Sequence, residues 1–169
     1  MSITNKITSC LWFDTQATEA ANFYCSVFKN SRIIRTAHYG KAGHEIHKMP
    51  EGAVLTVEFE LNGNRFLALN GGPIFKFNEA VSFVIDCDTQ EEIDYYWEKL
   101  TEGGDKNAQQ CGWLKDKYGL SWQVVPVKLA EYMSDKDREK VDHVMTVMLQ
   151  MKKIDLKALE QAYEGELVG

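Results

Sequence analysis

Residues 10–28, CLWFDTQATEAANFYCSVF, decide the fold, because residues 82–100, SFVIDCDTQEEIDYYWEKL, repeat their pattern. Each stretch begins with an apolar segment typical of a strand, passes through Asp-Thr-Gln, and continues with apolar residues at helical spacing. The two helices match at a separation of about 73 positions, by which Ala20, Phe23, Tyr24 and Val27 correspond to Ile93, Tyr96, Trp97 and Leu100. An internal repeat of this length is a whole supersecondary unit, so the sequence predicts two related modules.

The first module contains the clearest hairpin of the chain. Apolar and polar residues alternate along residues 55–61, which predicts a strand whose solvent-facing side carries Thr56, Glu58 and Glu60. Asn62-Gly63 predicts a type I′ turn, because both residues tolerate a positive φ angle. Residues 7–13 are apolar enough for a strand buried on both faces, and Asp14 or Thr15 is expected to cap the helix that follows.

The second module has shorter predicted strands, and a helical tail without a counterpart in the first module follows it. Thr89 and Glu92 form a capping box for the helix of this module. Ser134 and Asp155 are the expected caps of two tail helices, the first with an apolar stripe on residues 141–149. We therefore predict an α+β fold of paired β-α-β-β-β modules forming curved half-barrel sheets, divided as 1–79, 80–128 and the tail 129–169.

Composition narrows the class of protein. The 169 residues are 44% hydrophobic and 26% charged, which is typical of a globular domain. The formal charge of −6 and the lack of a basic run argue against a nucleic-acid partner. The first residues resemble no secretory signal and no apolar run approaches ~18 residues, so we expect a cytoplasmic protein without a membrane partner.

The four cysteines are Cys10, Cys25, Cys87 and Cys111, and no two of them form a C-x-x-C pair. In a reducing compartment such cysteines are typically small buried hydrophobic residues. Cys111 differs because it precedes Gly112-Trp113, where it could line a cavity.

Five segments of the chain resemble one known family. They are CLWFDTQATEAANFY, SRI, LTVEFELNG, FLALNGGPIFKFNEAVSFVIDC and GWLKDKYGLSWQVVP. Over about residues 5–160 the chain resembles the PhnB-like branch of the glyoxalase, bleomycin-resistance and extradiol-dioxygenase (vicinal oxygen chelate) superfamily. Some members of this branch carry the name 3-demethylubiquinone-9 3-methyltransferase. The resemblance implies two half-barrel sheets around a cavity, often in a homodimer.

Enzymes of this superfamily hold a metal with His, Glu or Gln on the first and last strands of each module. Carried over, the first-strand positions fall on Ser9 and Ser82, and the last-strand positions on residues 67–70 and on Gln123. Transition metals need three or four converging His, Cys or carboxylate donors, and this set offers one weak ligand. We therefore expect no metal and no other cofactor. A methyltransferase of the common type would also need a glycine-rich strand-to-helix turn, which both Asp-Thr-Gln turns lack.

His44 and His47 form the densest histidine cluster, but they lie in a predicted Gly-rich loop rather than on a helix. No catalytic triad, P-loop or paired carboxylates appear, so catalytic residues stay unknown. A polar and aromatic set is expected near the cavity as a site for a small organic molecule, with core packing as the open alternative: Trp12, Asn70, Phe75, Phe77, Cys111, Trp113, Lys115, Trp122 and Gln123.

Three functional hypotheses follow. The first is a metal-independent small-molecule-binding protein, or an enzyme of unassigned reaction, that uses this set. The second is a metal-dependent lyase or dioxygenase that uses Gln123 with His44 and His47. The third is a dimerisation module centred on the tail. Open strand edges and the apolar tail stripe also predict a two-fold homodimer with the C-terminal helix near the interface.

Overall fold

The computed structural model describes residues 6–165 and divides the chain into two compact units, residues 1–76 and 77–169. The second unit contains both the second module and the tail. The first unit comprises β1 (Ser9–Phe13), α1 (Ala17–Val27), β2 (Arg32–His38), α2 (His44–His47), β3 (Val54–Leu61) and β4 (Asn64–Asn70). The second comprises β5 (Ser82–Cys87), α3 (Gln90–Thr101), β6 (Trp113–Lys115), β7 (Ser121–Pro126), α4 (Lys128–Met133), α5 (Arg138–Met148) and α6 (Leu156–Glu164). The predicted α+β class is confirmed.

The sheet of the first unit has the strand order β1-β4-β3-β2, with β1 parallel to β4 and the other pairs antiparallel. Helix α1 covers one face, where Tyr24 stacks on Phe59 with 6.2 Å between ring centroids. Strand β1 is not buried on both faces as predicted, because Leu11 and Phe13 are buried whereas Cys10 is exposed. The strand therefore alternates, with one side in the core.

The hairpin between β3 and β4 is confirmed. Asn62 and Gly63 have φ angles of 45° and 83°, the two positive values that a type I′ turn requires. The solvent-facing side predicted for β3 is wrong at one position, because Glu58 is only 4% exposed.

The cap predicted for α1 is wrong, because neither Asp14 nor Thr15 caps the helix. The N-cap residue is Gln16, which makes no capping hydrogen bond with its side chain. The first amide of the helix, on Ala17, instead donates to Oδ1 of Asn70 over 2.8 Å. A residue at the end of β4 thus stabilises the start of α1 from 53 positions away in sequence.

The second sheet repeats the first with one strand fewer. Its order is β5-β7-β6, with β5 parallel to β7, so β5, β7 and β6 correspond to β1, β4 and β3. A short 3-10 turn, Lys106–Ala108, lies between α3 and β6 where the first module has β2. Phe13 and Cys87 are the buried last residues of β1 and β5, so the two strands correspond at a separation of 74 positions. The two helices correspond at a separation of 73. The second strand-to-helix turn is one residue shorter.

Helix caps in the second unit agree with two predictions and differ from one. Thr89 accepts from the amide of Glu92, and Asp155 accepts from the amide of Ala158, as expected. The predicted cap Ser134 instead ends α4, and Asp137 caps α5.

The apolar stripe of the tail packs inside the second unit. On α5, Val141 and Val144 are 3% and 0% exposed, and the helix packs against α4 and α6. Leu149, at the end of α5, is 53% exposed. Most of the stripe is therefore covered within one chain, which removes one argument for a homodimer. Among the described residues, no helix is both long and apolar enough to cross a membrane.

Candidate functional site

Each sheet has one face covered by its helix and one face turned away from it. Phe59 contacts α1, so Glu58 and its alternate neighbours lie on the other face of the first sheet. Cys87 lies close to Glu92 and Tyr96 of α3, so Asp86 and its alternate neighbours lie on the other face of the second sheet. We call the sides that point away from the helices the first and second open faces.

The second open face carries two rows of three side chains. The strand register pairs Ser121 with Ser82 on one side and with Lys115 on the other. Gln123 pairs in the same way with Val84 and with Trp113. Residues paired across neighbouring strands project on the same side of a sheet. Three of the predicted site residues, Trp113, Lys115 and Gln123, are therefore brought together.

The polar groups of this face are partly engaged. Gln123 Nε2 donates to Ser82 Oγ over 2.9 Å. The Lys115 ammonium forms an ion pair with Glu79, whose side chain is 63% exposed, while the Lys115 side chain is 22% exposed. This contact lowers the pKa of the Glu79 carboxyl, chiefly through the hydrogen bond from Lys115. Within residues 6–165, the buried Ser121 Oγ finds no hydrogen-bond partner.

The other three candidates of the second unit lie elsewhere. Trp122 is 3% exposed on the α3 side of the sheet, where it contacts Phe83 and donates to Asp116 Oδ2 over 2.9 Å. Cys111 lies between the 3-10 turn and β6 with a φ angle of 52°, and its amide donates to the carbonyl of Met151 in the tail. Phe77 is half-buried in the segment that leads to β5.

Trp12 and Phe75 form an aromatic contact in the first unit. Their rings meet edge to face with centroids 4.9 Å apart, and Trp12 Nε1 donates to the carbonyl of Gly72 over 2.8 Å. A Cβ atom on Gly71 would lie 2.1 Å from Trp12 Cζ2, so only glycine fits beneath the indole. Phe75 remains 61% exposed, which leaves one side of this pair open to solvent.

Asn70 is buried, and its polar groups are used inside the first unit. Besides accepting from Ala17, its side chain donates to the carbonyl of Val54 over 3.0 Å. Its own carbonyl accepts from the Tyr39 hydroxyl over 2.5 Å. These contacts join α1, β3 and the end of β2 to β4, which is a structural role.

The first open face carries a charge cluster that the sequence did not indicate. The Glu58 carboxylate, 5% exposed, accepts from Arg35 Nε and contacts Arg65 Nη2. Arg32 and Glu60 lie 3.6 Å apart beside them. The alternation of β3 marked these glutamates as surface residues, and only the register with β2 and β4 brings the arginines onto the same carboxylate.

A superfamily metal does not fit the donors of the open faces. On the first and last strands the possible donors of these faces are Cys10 in one unit, and Ser82, Asp86, Ser121 and Gln123 in the other, with one carboxylate among them. Ser9, the position expected from the sequence, lies on the α1 side, since it shares the parity of Leu11 and Phe13. Within residues 6–165 no three His, Cys, Asp or Glu side chains are grouped to hold a metal.

The histidine segment is a single helical turn rather than a loop without structure. His47 Nδ1 accepts from the amide of Met49 over 3.0 Å, and its Nε2 lies 3.2 Å from the carbonyl of Ala42. Tyr39 packs on the His47 ring with centroids 4.5 Å apart. Both ring nitrogens of His47 are thus hydrogen-bonded to the local backbone.

S-adenosylmethionine does not fit the strand-to-helix turns either. The turn after β1 is Asp14-Thr15-Gln16 and the turn after β5 is Asp88-Thr89, so neither contains the glycine that lets a backbone approach such a cofactor. Strands β1 and β5 each have one parallel neighbour, β4 and β7, and the remaining pairs of both sheets are antiparallel. Neither sheet is therefore the mostly parallel sheet of a doubly wound nucleotide fold.

The four cysteines are all free thiols, and they differ in burial. Cys87 is 1% exposed, and burial together with the nearby carboxylates raises its pKa to about 12. Cys10 is exposed, whereas Cys25 and Cys111 are half-buried. The prediction of buried cysteines is thus confirmed for Cys87 and wrong for Cys10.

A shallow cleft of about 520 Å³ lies on the α3 side of the second unit, away from its open face. Lys153 and Asp94 pair across it over 2.5 Å, and Gln90 binds the backbone of Ile154 and Leu156. These contacts attach the tail to α3, so we assign the cleft a structural role.

Comparison with known proteins gives a family for this fold. The model of the family described as 3-demethylubiquinone-9 3-methyltransferase matches residues 5–125. The chain belongs to this family. The solved PhnB protein of Bacillus cereus, which carries the same methyltransferase description, is 36% identical with a TM-score of 0.63. The match covers 73% of this chain and 100% of that one. The predicted PhnB-like branch is therefore confirmed.

More distant structures share the fold alone. Protein PA1353 of Pseudomonas aeruginosa is 16% identical, with a TM-score of 0.57 over 73% of this chain and 98% of that one. The fosfomycin resistance protein FosX of Listeria monocytogenes, solved with Mn(II) and sulfate, is 13% identical, with a TM-score of 0.52 over 78% and 97%. The search of curated proteins gives no match.

Proposed function

We propose that this protein binds a small organic molecule on its second open face without the help of a metal. The observation that carries the proposal is the placement of Trp113, Lys115 and Gln123 on one side of a three-stranded sheet. An aromatic surface beside a few directed polar groups is the usual composition of a small-molecule site. The metal-dependent alternative is disfavoured by the donor set described above.

The chemistry of the face supports binding more directly than it supports catalysis. Gln123 and Ser82 are hydrogen-bonded to each other and provide directed polar groups, whereas Trp113 provides a flat apolar surface. Among the described residues of this face, neither serine is hydrogen-bonded to a base that would activate it, since Ser121 Oγ has no partner and Ser82 Oγ accepts from Gln123. The proposal concerns binding and assigns no reaction to the bound molecule. Trp12 and Phe75 form a second aromatic surface, which we propose as a separate contact for a small molecule within the first unit.

The experiment is an amide NMR titration of the full chain with indole-3-carboxamide and indole-3-carboxylate. We expect chemical-shift changes centred on Val84, Trp113 and Gln123, and their loss in Trp113→Leu. Trp97→Leu is the matched control, because it removes an indole that lies on α3 rather than on the sheet. Changes confined to the α3-side cleft, or no changes with either compound, would refute the proposal.

A further inference from the structure

The row Ser82–Ser121–Lys115 is a line of hydrogen-bond donors on three adjacent strands. Neighbouring strands lie about 4.8 Å apart, so the two hydroxyls and the ammonium span roughly 10 Å. Lys115 is the positive end of this row, and its side chain is largely buried. A site of this kind is complementary to an anion, since Lys and Ser donate charge-assisted hydrogen bonds to carboxylate oxygens.

Glu79 already provides one carboxylate to this row. Its Oε1 contacts Lys115 Nζ, although Glu79 itself lies outside the sheet, in the exposed segment of chain that precedes β5. The pair contributes little to stability, because the Glu79 side chain is 63% exposed, solvent screens its charge, and two long side chains must be ordered. Glu79 can therefore exchange with another carboxylate at small cost.

Ser121 provides the second, independent observation. Its hydroxyl is buried on the same face, directly opposite Lys115 in the β6–β7 ladder, and finds no partner among the described residues. Buried hydroxyl groups are normally hydrogen-bonded. The Glu79 carboxylate contacts Lys115 but not Ser121, whereas the carboxylate of an untethered acid can be placed so that its two oxygens accept from both.

On the proposed function of this face, we infer that the ligand is a small aromatic carboxylic acid and that Glu79 is a tethered competitor for its site. One carboxylate oxygen accepts from Lys115 and the other from Ser121. The aromatic body lies on Trp113, which is two residues from Lys115 on the same strand and the same face. Glu79 leaves Lys115 when the acid binds.

The test compares indole-3-carboxylate with indole-3-carboxamide by isothermal titration calorimetry on the full chain. We expect the acid to bind more tightly than the amide. Glu79→Gln should tighten the acid by on the order of threefold to tenfold and leave the amide unchanged, because with a competitor the apparent Kd is the intrinsic Kd divided by the free fraction of sites. Lys115→Gln should weaken the acid by about tenfold, the loss of one charge-assisted contact, and again spare the amide.

Asp86→Asn is the matched control, because it removes a negative charge from the same open face without touching Lys115. If Asp86→Asn tightened the acid as much as Glu79→Gln, general charge would explain the effect and the competitor role would be refuted. Equal affinity for acid and amide would refute the carboxylate assignment while the proposed function stands. Binding of neither compound would refute both.

Discussion

Replacing Asn70 with leucine separates its structural role from a role in ligand binding. The side chain accepts from the Ala17 amide over 2.8 Å and donates to the Val54 carbonyl over 3.0 Å. Leucine has the same number of side-chain heavy atoms, branched at the same position, and provides neither contact, so both backbone groups lose their partners. Because Gln16 gives α1 no side-chain cap, nothing local replaces the lost acceptor.

The expected cost follows from these two contacts. A buried polar group left without a partner costs about 1–3 kcal/mol, so the two groups freed by Asn70→Leu should lower the free energy of unfolding by roughly 2–6 kcal/mol. Urea denaturation followed by circular dichroism measures this change, and hydrogen exchange of α1 peptides localises it. Asn64→Leu is the control, since Asn64 is exposed on the same strand and should change stability by about 0.5 kcal/mol or less. An Asn70→Leu variant as stable as the wild type would refute this reasoning.

Three further outcomes are expected. Gly71→Ala should destabilise the chain by about 1–3 kcal/mol and shift tryptophan emission, because the new Cβ overlaps the Trp12 ring, whereas Gly40→Ala, which meets nothing within 4 Å, should not. Iodoacetamide at pH 8 should label Cys10 and spare Cys87, whose thiol is buried and has a pKa of about 12; equal labelling in mass spectra would contradict this. The homodimer stays a prediction, since β2 is an edge strand with every residue exposed; light scattering at micromolar concentration should give twice the chain mass.

Features that depend on local sequence were predictable. The repeat, the Asn62-Gly63 turn and the caps at Thr89 and Asp155 each rest on residues a few positions apart. Turn and cap signals act through the conformation of two to four residues, so one sequence is enough to find them. The cap of α1 was missed because its acceptor, Asn70, lies on a distant strand.

Which side chains lie on the open faces could not be predicted, because that assignment requires the strand register. The sequence alone does not give the register to within one residue. A shift of one residue moves every side chain of a strand to the opposite face. Trp122 and Gln123 are neighbours in sequence, yet one lies against α3 and the other on the open face. Judged from the sequence, Ser9 and Ser82, which are 73 positions apart, are equivalent first-strand residues. The strands correspond at 74 positions, so Ser9 lies on the helix side of its sheet.

Comparison of the two copies supports the second open face, rather than the first, as the proposed ligand site. Glu60 and Arg65 face each other in the first sheet where Lys115 and Ser121 face each other in the second. In the first sheet both charged side chains pair with charges from strands of the same sheet, so the face is satisfied by its own residues. In the second sheet Lys115 takes its partner from Glu79, which lies outside the sheet, and Ser121 has no partner among the described residues. The copy that lacks a counterpart of β2 thus keeps donors that its own strands do not satisfy, and an added carboxylate can satisfy them.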